Sequence, residues 1–586
     1  MNVRRYQKWA KSGLAILLAG AMMVGTAASG GGMTAQAAET ESSDTVSTQK
    51  AVTSDAASLL FTEKHITSDL TLPTIGASGT TISWKSSNPS VLSNEGKVTR
   101  PKKGAADEEV TLKGTVKMGD YAKARNFTFV VLAESEMGPT KEFALDQVEL
   151  LDDYYLTAQN SDIEFLKKFD NDRLLSRFRE TAGLDTKKIA PYGGWEDGWL
   201  GGHSVGHYLT AIAQAVKATG NADLKEKSKQ LIEGLAECQN KLGTGFIFGA
   251  KIETEGYVEK QFDILEGKTT GKTWVPWYNM HKMLTGLVDT YKYTGNKQAL
   301  EVAKKLGDWI YNRVSKWDAG TQGRVLGTEY GGMNDCLYEL YLCTRDSKHL
   351  EAAHKFDQPN LYKTVAKGGK NCLNGKHANT TIPKFLGALK RYVVLEQTGE
   401  LTKDDEAYLT NVEKFFDIAV TRHAYITGGV SVMEHFRKDN NQDGTRTQTN
   451  CESCCAHNML KMAKELYKVT GDKKYADYYE TTLRNSIMGA VKSESGAAAY
   501  FIPMATGYFK TFGNEDPAKN MFWCCTGSGM ENFTKLGDSI YFHTNDTLIV
   551  NQYVSSKVTW EEKNLVVTQK SDVTKSDKAT FTVNAK

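Results

Sequence analysis

The stretches HYLTAIAQAVKATG (207–220) and HKMLTGLVDTYKYTG (281–295) decide the fold. In each, apolar residues recur at the i, i+3, i+4, i+7 spacing of a helix, and a Thr-Gly pair ends the run. A glycine at that place suits the left-handed residue that terminates many helices. Each stretch therefore predicts an amphipathic helix that ends at its glycine.

The same pattern returns along the chain. Two further runs end in Thr-Gly at Gly399 and Gly471, and one ends at Thr344 with Arg-Asp in place of the glycine. A second helical stretch follows each stop, and another helical segment precedes the first run. About six helical hairpins are therefore predicted between residues 143 and 540. We expect them to close into a mainly α, (α/α)6 toroid whose connecting loops form a cleft at one end.

Strand patterns flank the helical region. Residues 58–134 alternate with period two between turn signals, which predicts a small β-sandwich, and they resemble bacterial Ig-like modules. The pattern of strands returns over 541–586, which we read as the start of a C-terminal β-domain, truncated at the end of the chain. Residues 1–38 have the basic, apolar and small-residue regions of a signal peptide. The Ser/Thr-rich residues 39–57 are expected to be a linker.

The charge balance excludes some classes of partner. The formal net charge is +2, and no block of Lys or Arg stands out, so nucleic acid and anionic membranes are poor partners. No stretch beyond the signal approaches twenty apolar residues, so no membrane span is expected. The sequence predicts a secreted or cell-surface protein.

Polar motifs gather just before the hairpins, where the cleft is expected. Each mixes glycine turns with Trp, Tyr, His or a carboxylate, the side chains that stack on sugar rings and hydrogen-bond their hydroxyls. The predicted sugar-binding residues are Trp195, His203, His207, Tyr278, His281, Asn334, Asp335, His377 and Asn379.

Five of the nine cysteines fall in two clusters, CESCC (451–455) and WCC (523–525). Disulfides are the first explanation in an exported protein, but the odd count and the size of the chain argue against them. One set of four metal ligands is Glu452, Cys454, Cys524 and Cys525, which suits tetrahedral zinc. A second set replaces Glu452 with Cys451 and gives a structural four-thiolate site. The spacing leaves both open.

Six motifs in order give a more specific resemblance: GGHSVGHYL, VPWYNMHK, GGMND, HANTTIPK, CESCCAHNMLK and WCCTGSGMEN. Together they resemble the β-L-arabinofuranosidases of glycoside hydrolase family 127 and relatives such as family 146. The resemblance implies that Glu452, Cys454, Cys524 and Cys525 bind zinc, that Cys524 is the nucleophile and that Glu434 is the acid/base. Two features depart from the family pattern: Met433 stands where a small residue is expected, and Glu434 precedes Glu452 by 18 residues.

The resemblance implies an exported, zinc-dependent retaining glycosidase that releases L-arabinofuranose from plant glycans. An anionic ligand set is expected to raise the pKa of Glu434 and favour its protonated form. One alternative is a carboxylate-only inverting hydrolase or lyase on the same toroid, with Asp335 or Glu434 as acid or base and a structural zinc. Another is a non-catalytic glycan-binding surface protein.

Overall fold

The computed structural model describes residues 43–586 except for 62–64, 67–68, 71, 103–104, 132–138, 251–256, 493, 513–515, 517–521 and 573–574. The predicted signal peptide, residues 1–38, lies outside the described residues. None of the helices in the described part of the chain is both long and apolar enough to cross a bilayer.

Seventeen α-helices are present among the described residues. They are α1 (Ser43–Ser58), α2 (Asp153–Lys167), α3 (Asn171–Ala182), α4 (His203–Thr219), α5 (Ala222–Leu242), α6 (Lys260–Leu265), α7 (Pro276–Thr294), α8 (Lys297–Val314), α9 (Ala319–Leu326), α10 (Met333–Thr344), α11 (Ser347–His354), α12 (Pro359–Ala366), α13 (Ala378–Thr398), α14 (Glu406–His423), α15 (Ser453–Thr470), α16 (Lys473–Thr482) and α17 (Cys524–Phe533).

Six helices form a closed inner ring. α4, α7, α10, α13, α15 and α17 contact one another in that order, and α17 returns to α4. Each packs against one partner helix: α5, α8, α11, α14, α16 and, for α17, α2. The predicted (α/α)6 toroid is confirmed. Its first hairpin is split, because α2 pairs with the last helix of the ring.

The predicted helix stops match the backbone. Gly220, Gly295, Gly399 and Gly471 each cap a helix in the left-handed conformation, with φ between 65° and 72°. Arg345 takes the same conformation, φ 56°, at the stop that lacks a glycine. The Thr-Gly pairs therefore mark the same end of successive inner helices, and the polar motifs at their beginnings share the opposite end.

Two strand-rich regions flank the ring, as predicted. The strands are β1 (His65–Ile66), β2 (Thr81–Ser86), β3 (Glu108–Met118), β4 (Tyr121–Val131), β5 (Lys141–Glu142), β6 (Val148–Leu150), β7 (Tyr541–His543), β8 (Leu548–Val550), β9 (Val554–Trp560), β10 (Leu565–Asp572) and β11 (Ala579–Ala585). The N-terminal sheet has the order β1–β4–β3–β2, and the other two have the orders β11–β10–β9–β6 and β5–β7–β8. The C-terminal strands thus add to short strands that precede the ring.

The linker prediction for residues 39–57 is wrong from residue 43 onward. These residues form α1, whose Val52 and Ala56 are buried against β-sheet residues such as Val116. Asp55 accepts hydrogen bonds from the Thr80 and Ser78 hydroxyls. The Arg125 guanidinium caps the end of the helix by donating to backbone carbonyls. A Ser/Thr-rich composition concealed a short apolar stripe at helical spacing.

Candidate active site and metal centre

Two neighbouring inner helices begin with the cysteine clusters. Glu452 is the N-cap of α15 and Cys454 lies in its first turn, while Cys524 and Cys525 are the first residues of α17. α15 and α17 are adjacent in the ring, so the two N-termini lie side by side. Exposed backbone N–H groups give a helix N-terminus a partial positive charge, which favours thiolates.

The four predicted metal ligands meet in one buried cluster. Their ligand atoms, the carboxylate of Glu452 and the sulfurs of Cys454, Cys524 and Cys525, all lie within 4.8 Å of one another. The Sγ atoms of Cys454 and Cys525 are 3.2 Å apart, and Cys525 Sγ is 3.8 Å from Glu452 Oε1. Ligands about 2.3 Å from a tetrahedral zinc would be about 3.8 Å apart. The donor set therefore fits zinc.

The remaining cysteines settle which ligand set the geometry favours. All nine cysteines are free thiols, so none forms a disulfide. Cys451 packs instead against Tyr425 and Ile502, outside the cluster. Cys455 donates from Sγ to Glu452 Oε2 over 3.2 Å and so holds the oxygen that faces away from Cys525. The four-thiolate alternative does not form.

Hydrogen bonds from Cys454 and Cys525 single out Cys524 among the thiols. They hold the pKa of Cys524 well below its usual range. Burial instead raises the pKa of Cys454 and of Cys525. Of these three thiols, Cys524 is therefore the one whose deprotonation the surroundings favour.

Glu434 lies beside the cluster in a network of its own. His377 is the N-cap of α13, and its Nδ1 accepts the Thr380 N–H over 3.1 Å. Because Nδ1 is the acceptor, Nε2 carries the hydrogen and donates it to Glu434 Oε2 over 3.0 Å. The Tyr500 hydroxyl donates to Glu434 Oε1. Glu434 is therefore fixed through both of its oxygens.

Tyr500 also joins Glu434 to the cluster. Its hydroxyl lies 3.4 Å from Cys524 Sγ, which donates to it. The Tyr500 carbonyl accepts the Ser453 N–H over 2.9 Å, and Phe501 forms a β-bridge with Glu452. The segment that carries Tyr500 therefore pairs through backbone contacts with the N-terminal turn of α15, which carries the predicted ligands.

The hydrogen bond from His377 keeps the pKa of Glu434 below its usual range, and the bond from Tyr500 acts in the same direction. Burial and the charge of Cys524 raise this pKa but do not outweigh the two bonds. The raising effect that was expected from the anionic cluster is present in the charge of Cys524, but the two hydrogen bonds, which that expectation omitted, act against it.

The loop that carries Glu434 is strained. Ser431, Met433 and Glu434 have φ values of 88°, 45° and 63°, and Cys451 in the facing strand has 50°. Side chains other than glycine reach this region at a cost of about 1–3 kcal/mol each. The position of Met433 thus favours glycine, which explains why a small residue is expected there.

Three of the predicted sugar-binding residues gather near this network besides His377. The rings of His203 and Tyr278 are 6.2 Å apart, and His203 Nε2 has no hydrogen-bond partner among the described residues. Trp195 packs against Trp274 and against Trp523, the residue that precedes Cys524. Trp274 is 44 % exposed, so the aromatic cluster reaches the surface.

Other predicted residues lie deeper in the ring. His207, His281 and Asp335 line a narrow chamber between the inner helices. His207 Nδ1 is 2.5 Å from Glu531 Oε1, and His281 Nδ1 accepts the Gly332 N–H over 3.1 Å. Burial lowers the pKa of His207 to about 4, so its ring is neutral near pH 7.

The prediction for Asn334 is wrong. Its side chain is fully buried, and its Nδ2 donates to Asp357 Oδ1 over 3.0 Å. Gly387 of α13 packs so closely that a Cβ there would lie 2.0 Å from Asn334 Oδ1. Asn334 precedes Asp335 by one position of the helix, so the two side chains leave the helix in different directions. The Asn334 side chain points into the core. Asn379 is also buried, and its Oδ1 accepts from Asn458 Nδ2 over 3.2 Å.

Sequence reasoning missed two residues of the site. Tyr500 lies in a stretch with no repeat or motif to mark it. Glu329 lies inside the TEYGGMND motif but was not selected. Burial raises the pKa of Glu329, and the charges of Cys524 and Glu434 act on it in the same direction. The sequence signal for Glu329 was its position two residues before the Gly331-Gly332 pair of this motif.

The fold is a closed ring of paired helices, and a cysteine cluster and a hydrogen-bonded glutamate lie at one end of it. This combination defines a helical-barrel glycoside hydrolase. The sequence profile described as "Beta-L-arabinofuranosidase, GH127 catalytic domain" matches residues 147–538, more than half of the chain. The chain therefore belongs to this family. A second profile, that of an atrophied bacterial Ig domain, matches residues 47–134 and begins within α1.

Solved structures share this fold. A GH127 β-arabinofuranosidase has 19 % identity and a TM-score of 0.57, with 74 % of this chain and 68 % of that chain covered. A GH127 β-L-arabinofuranosidase from Geobacillus stearothermophilus T6 has 17 % identity and a TM-score of 0.54, with 74 % and 72 % covered. At these identities the likeness concerns the fold. None of the curated proteins compared with the chain matches it.

Proposed function

We propose that this family 127 enzyme is an exported, zinc-dependent retaining glycosidase that releases L-arabinofuranose from plant glycans. Cys524 is the nucleophile and Glu434 the acid/base. The observation that carries the proposal is the Tyr500 hydroxyl, which contacts both Cys524 Sγ and Glu434 Oε1. The signal-type N-terminus supports export.

The geometry supports retention of configuration. Two groups that hydrogen-bond the same hydroxyl are no more than about 6 Å apart. Retaining glycosidases need their two catalytic groups about 5–5.5 Å apart, whereas inverting enzymes leave room for a water molecule at about 6.5–9.5 Å. The separation of Cys524 and Glu434 is therefore close to the distance that retaining glycosidases need and shorter than the distance in inverting enzymes.

The hydrogen-bond chain can set the required protonation states. Cys524 donates to Tyr500, which donates to Glu434. A proton moved along this chain leaves a thiolate on Cys524 and a carboxylic acid on Glu434. Zinc, when held by Glu452, Cys454, Cys524 and Cys525, would keep Cys524 deprotonated at neutral pH.

The first half-reaction then follows from the positions of two residues. Glu434 gives its proton to the leaving oxygen while the Cys524 sulfur forms a bond to C1 and the C1–O bond breaks. In the second half-reaction the Glu434 carboxylate takes a proton from water, whose oxygen displaces the sulfur from C1. His377 holds Glu434 in place through both steps.

The test uses aryl L-arabinofuranosides of both anomers, with furanose and pyranose controls, and follows the first product by NMR. Retention of configuration and loss of turnover in Cys524→Ser are expected. Inversion would favour the carboxylate-only alternative. Binding without release of reducing sugar would favour a glycan-binding protein, and hydrolysis confined to another sugar would overturn the substrate.

Zinc content tests the ligand set separately. Glu452→Ala should contain about one zinc per chain less than the wild type, because it removes the one carboxylate of the cluster. Glu465→Ala is a matched control, since Glu465 is also a buried glutamate of α15 but pairs with Lys468 instead. An active wild-type enzyme without zinc would contradict the ligand assignment.

A further inference from the structure

A second group of possible metal ligands lies away from the cleft, between two outer helices. Asp308 is in α8, Asp346 is the N-cap of α11, and His349 is in the first turn of α11. One ligand atom from each lies within 4.8 Å of the others. Two half-exposed carboxylates alone are common on protein surfaces, so the argument depends on the histidine.

His349 is buried, with 1 % exposure, yet its Nε2 has no hydrogen-bond partner among the described residues. That atom is 3.9 Å from Asp308 Oδ1. An unpaired polar atom inside a protein is unfavourable, because it has lost its hydrogen bond to water. The structure leaves Nε2 unpaired at the point where it faces the Asp308 carboxylate.

Hydrogen bonds on the other side of the ring set its tautomer. His349 Nδ1 is 2.8 Å from the Thr344 hydroxyl, and that hydroxyl donates its hydrogen to the Leu340 carbonyl over 3.0 Å. With its hydrogen on the Leu340 carbonyl, Thr344 accepts from Nδ1–H, and this tautomer leaves a lone pair on Nε2. The opposite tautomer would direct Nε2–H to the Lys304 carbonyl. Metal-binding histidines commonly donate from the second nitrogen in the way that Nδ1 does here.

α8 is shaped to receive this ring. Gly307 lies inside α8, where glycine is less favourable than alanine. A Cβ at this position would lie 2.7 Å from His349 Nε2 and Cδ2. The missing side chain admits the imidazole next to Asp308. Burial lowers the pKa of His349, which favours the neutral ring.

We propose that Asp308, Asp346 and His349 form a second zinc site, which clasps α8 to α11 on the outside of the ring. One imidazole nitrogen and two carboxylates suit zinc, with water as the fourth ligand, and suit calcium poorly. Small rotations of the two half-exposed aspartates bring their oxygens to bonding distance.

The place of the ion is now taken by a lysine. Lys348 Nζ is 3.5 Å from Asp308 Oδ1 and 4.0 Å from Asp346 Oδ2. This ammonium is half-exposed, so its ion pairs contribute little and are easily exchanged. The Lys348 ammonium therefore occupies a position that favours positive charge, and it competes with zinc for the same carboxylate oxygens.

The experiment measures zinc content after the full chain is dialysed against about 10 μM free zinc, a level at which tight sites fill. Wild type should hold one zinc per chain more than His349→Ala or Asp308→Asn, with affinity at this site at least tenfold weaker in both variants. His354→Ala, at the other end of α11, should match the wild type. Lys348→Ala should bind zinc as tightly or more tightly.

The design separates this site from the catalytic one. The difference between wild type and His349→Ala does not depend on whether the cysteine cluster holds zinc. Cobalt adds a second readout, because thiolate ligands give it strong near-ultraviolet absorption and an Asp/His site does not. Equal zinc content and affinity in wild type, His349→Ala and Asp308→Asn would overturn the proposal, as would wild-type binding only at millimolar zinc. Asp308→Asn keeps the test valid if His349→Ala fails to fold.

Discussion

Replacing Tyr500 with phenylalanine removes one oxygen atom from the contact between Cys524 and Glu434. The Tyr500 ring packs against Phe501 with centroids 4.6 Å apart, and phenylalanine preserves that packing. The hydroxyl contacts a half-buried carboxylate, and a hydrogen bond to a charged group is worth about 1.5–3 kcal/mol. At about 1.36 kcal/mol per factor of ten, kcat/KM should fall roughly 10- to 100-fold.

The pH profile gives a second, independent result. The Tyr500 hydroxyl is one of two donors that keep the pKa of Glu434 low. Its loss raises that pKa, so Glu434 keeps its proton to higher pH. The alkaline limb of kcat/KM against pH, which follows loss of the proton from the acid, should therefore move to higher pH in Tyr500→Phe.

The assay is steady-state hydrolysis of an aryl L-arabinofuranoside from pH 4 to about 9, with the melting temperature measured in parallel. Tyr467→Phe is a matched control, because it removes a hydroxyl that contacts Asn551 in the C-terminal region. A Tyr500→Phe enzyme with kcat/KM within twofold of the wild type and an unchanged alkaline limb would refute the role of Tyr500 in the network.

Four further substitutions follow from the structure. Cys524→Ser should reduce turnover by about a thousandfold or more while circular dichroism stays normal, because serine is a far weaker nucleophile at neutral pH; substantial residual turnover would remove Cys524 from that role. His377→Ala should lower kcat/KM about 10- to 100-fold because it frees Glu434, and it should also lose about 1 kcal/mol of stability because the Thr380 N–H loses its cap. His281→Ala should lose about 1–3 kcal/mol of stability with a smaller effect on kcat/KM, because the Gly332 N–H is left unpaired; a larger loss of kcat/KM in His281→Ala than in His377→Ala would show that the two histidines are misassigned. Met433→Gly should raise the free energy of unfolding by about 1 kcal/mol through relief of its positive φ and keep kcat/KM within threefold; a lower stability in urea unfolding would show that the conformation is not strained.

Local rules were sufficient for the helical ring. The stops at Gly220 and Gly471 depend on a left-handed cap, which is a property of a few consecutive residues. The same rules failed at α1. The Ser/Thr-rich composition of this segment indicated a linker, although Val52 and Ala56 are buried. They also failed at Asn334, because a motif shows which residues are polar but not how far a helix has rotated.

The candidate site was predictable where its residues formed motifs. The CESCC and WCC stretches indicated the predicted ligands, and the positive φ of Met433 explains why a small residue was expected at that position. Tyr500 could not be predicted, because it reaches Glu434 through a β-bridge between Phe501 and Glu452. A long-range pairing of this kind leaves no periodic trace in one sequence.

The position of α17 in the ring has a consequence for how the enzyme matures. This helix closes the ring by packing on α4, which precedes it by some 300 residues, and it also brings Cys524 and Cys525. At a synthesis rate of about 5–20 residues per second, the earlier inner helices exist for many seconds before their last neighbour appears. The chain therefore has no complete cysteine cluster until the ring can close, so the proposed nucleophile and the closed fold are formed in a single late event. Contacts between segments this far apart also form slowly, and we expect refolding to be limited by the docking of α17.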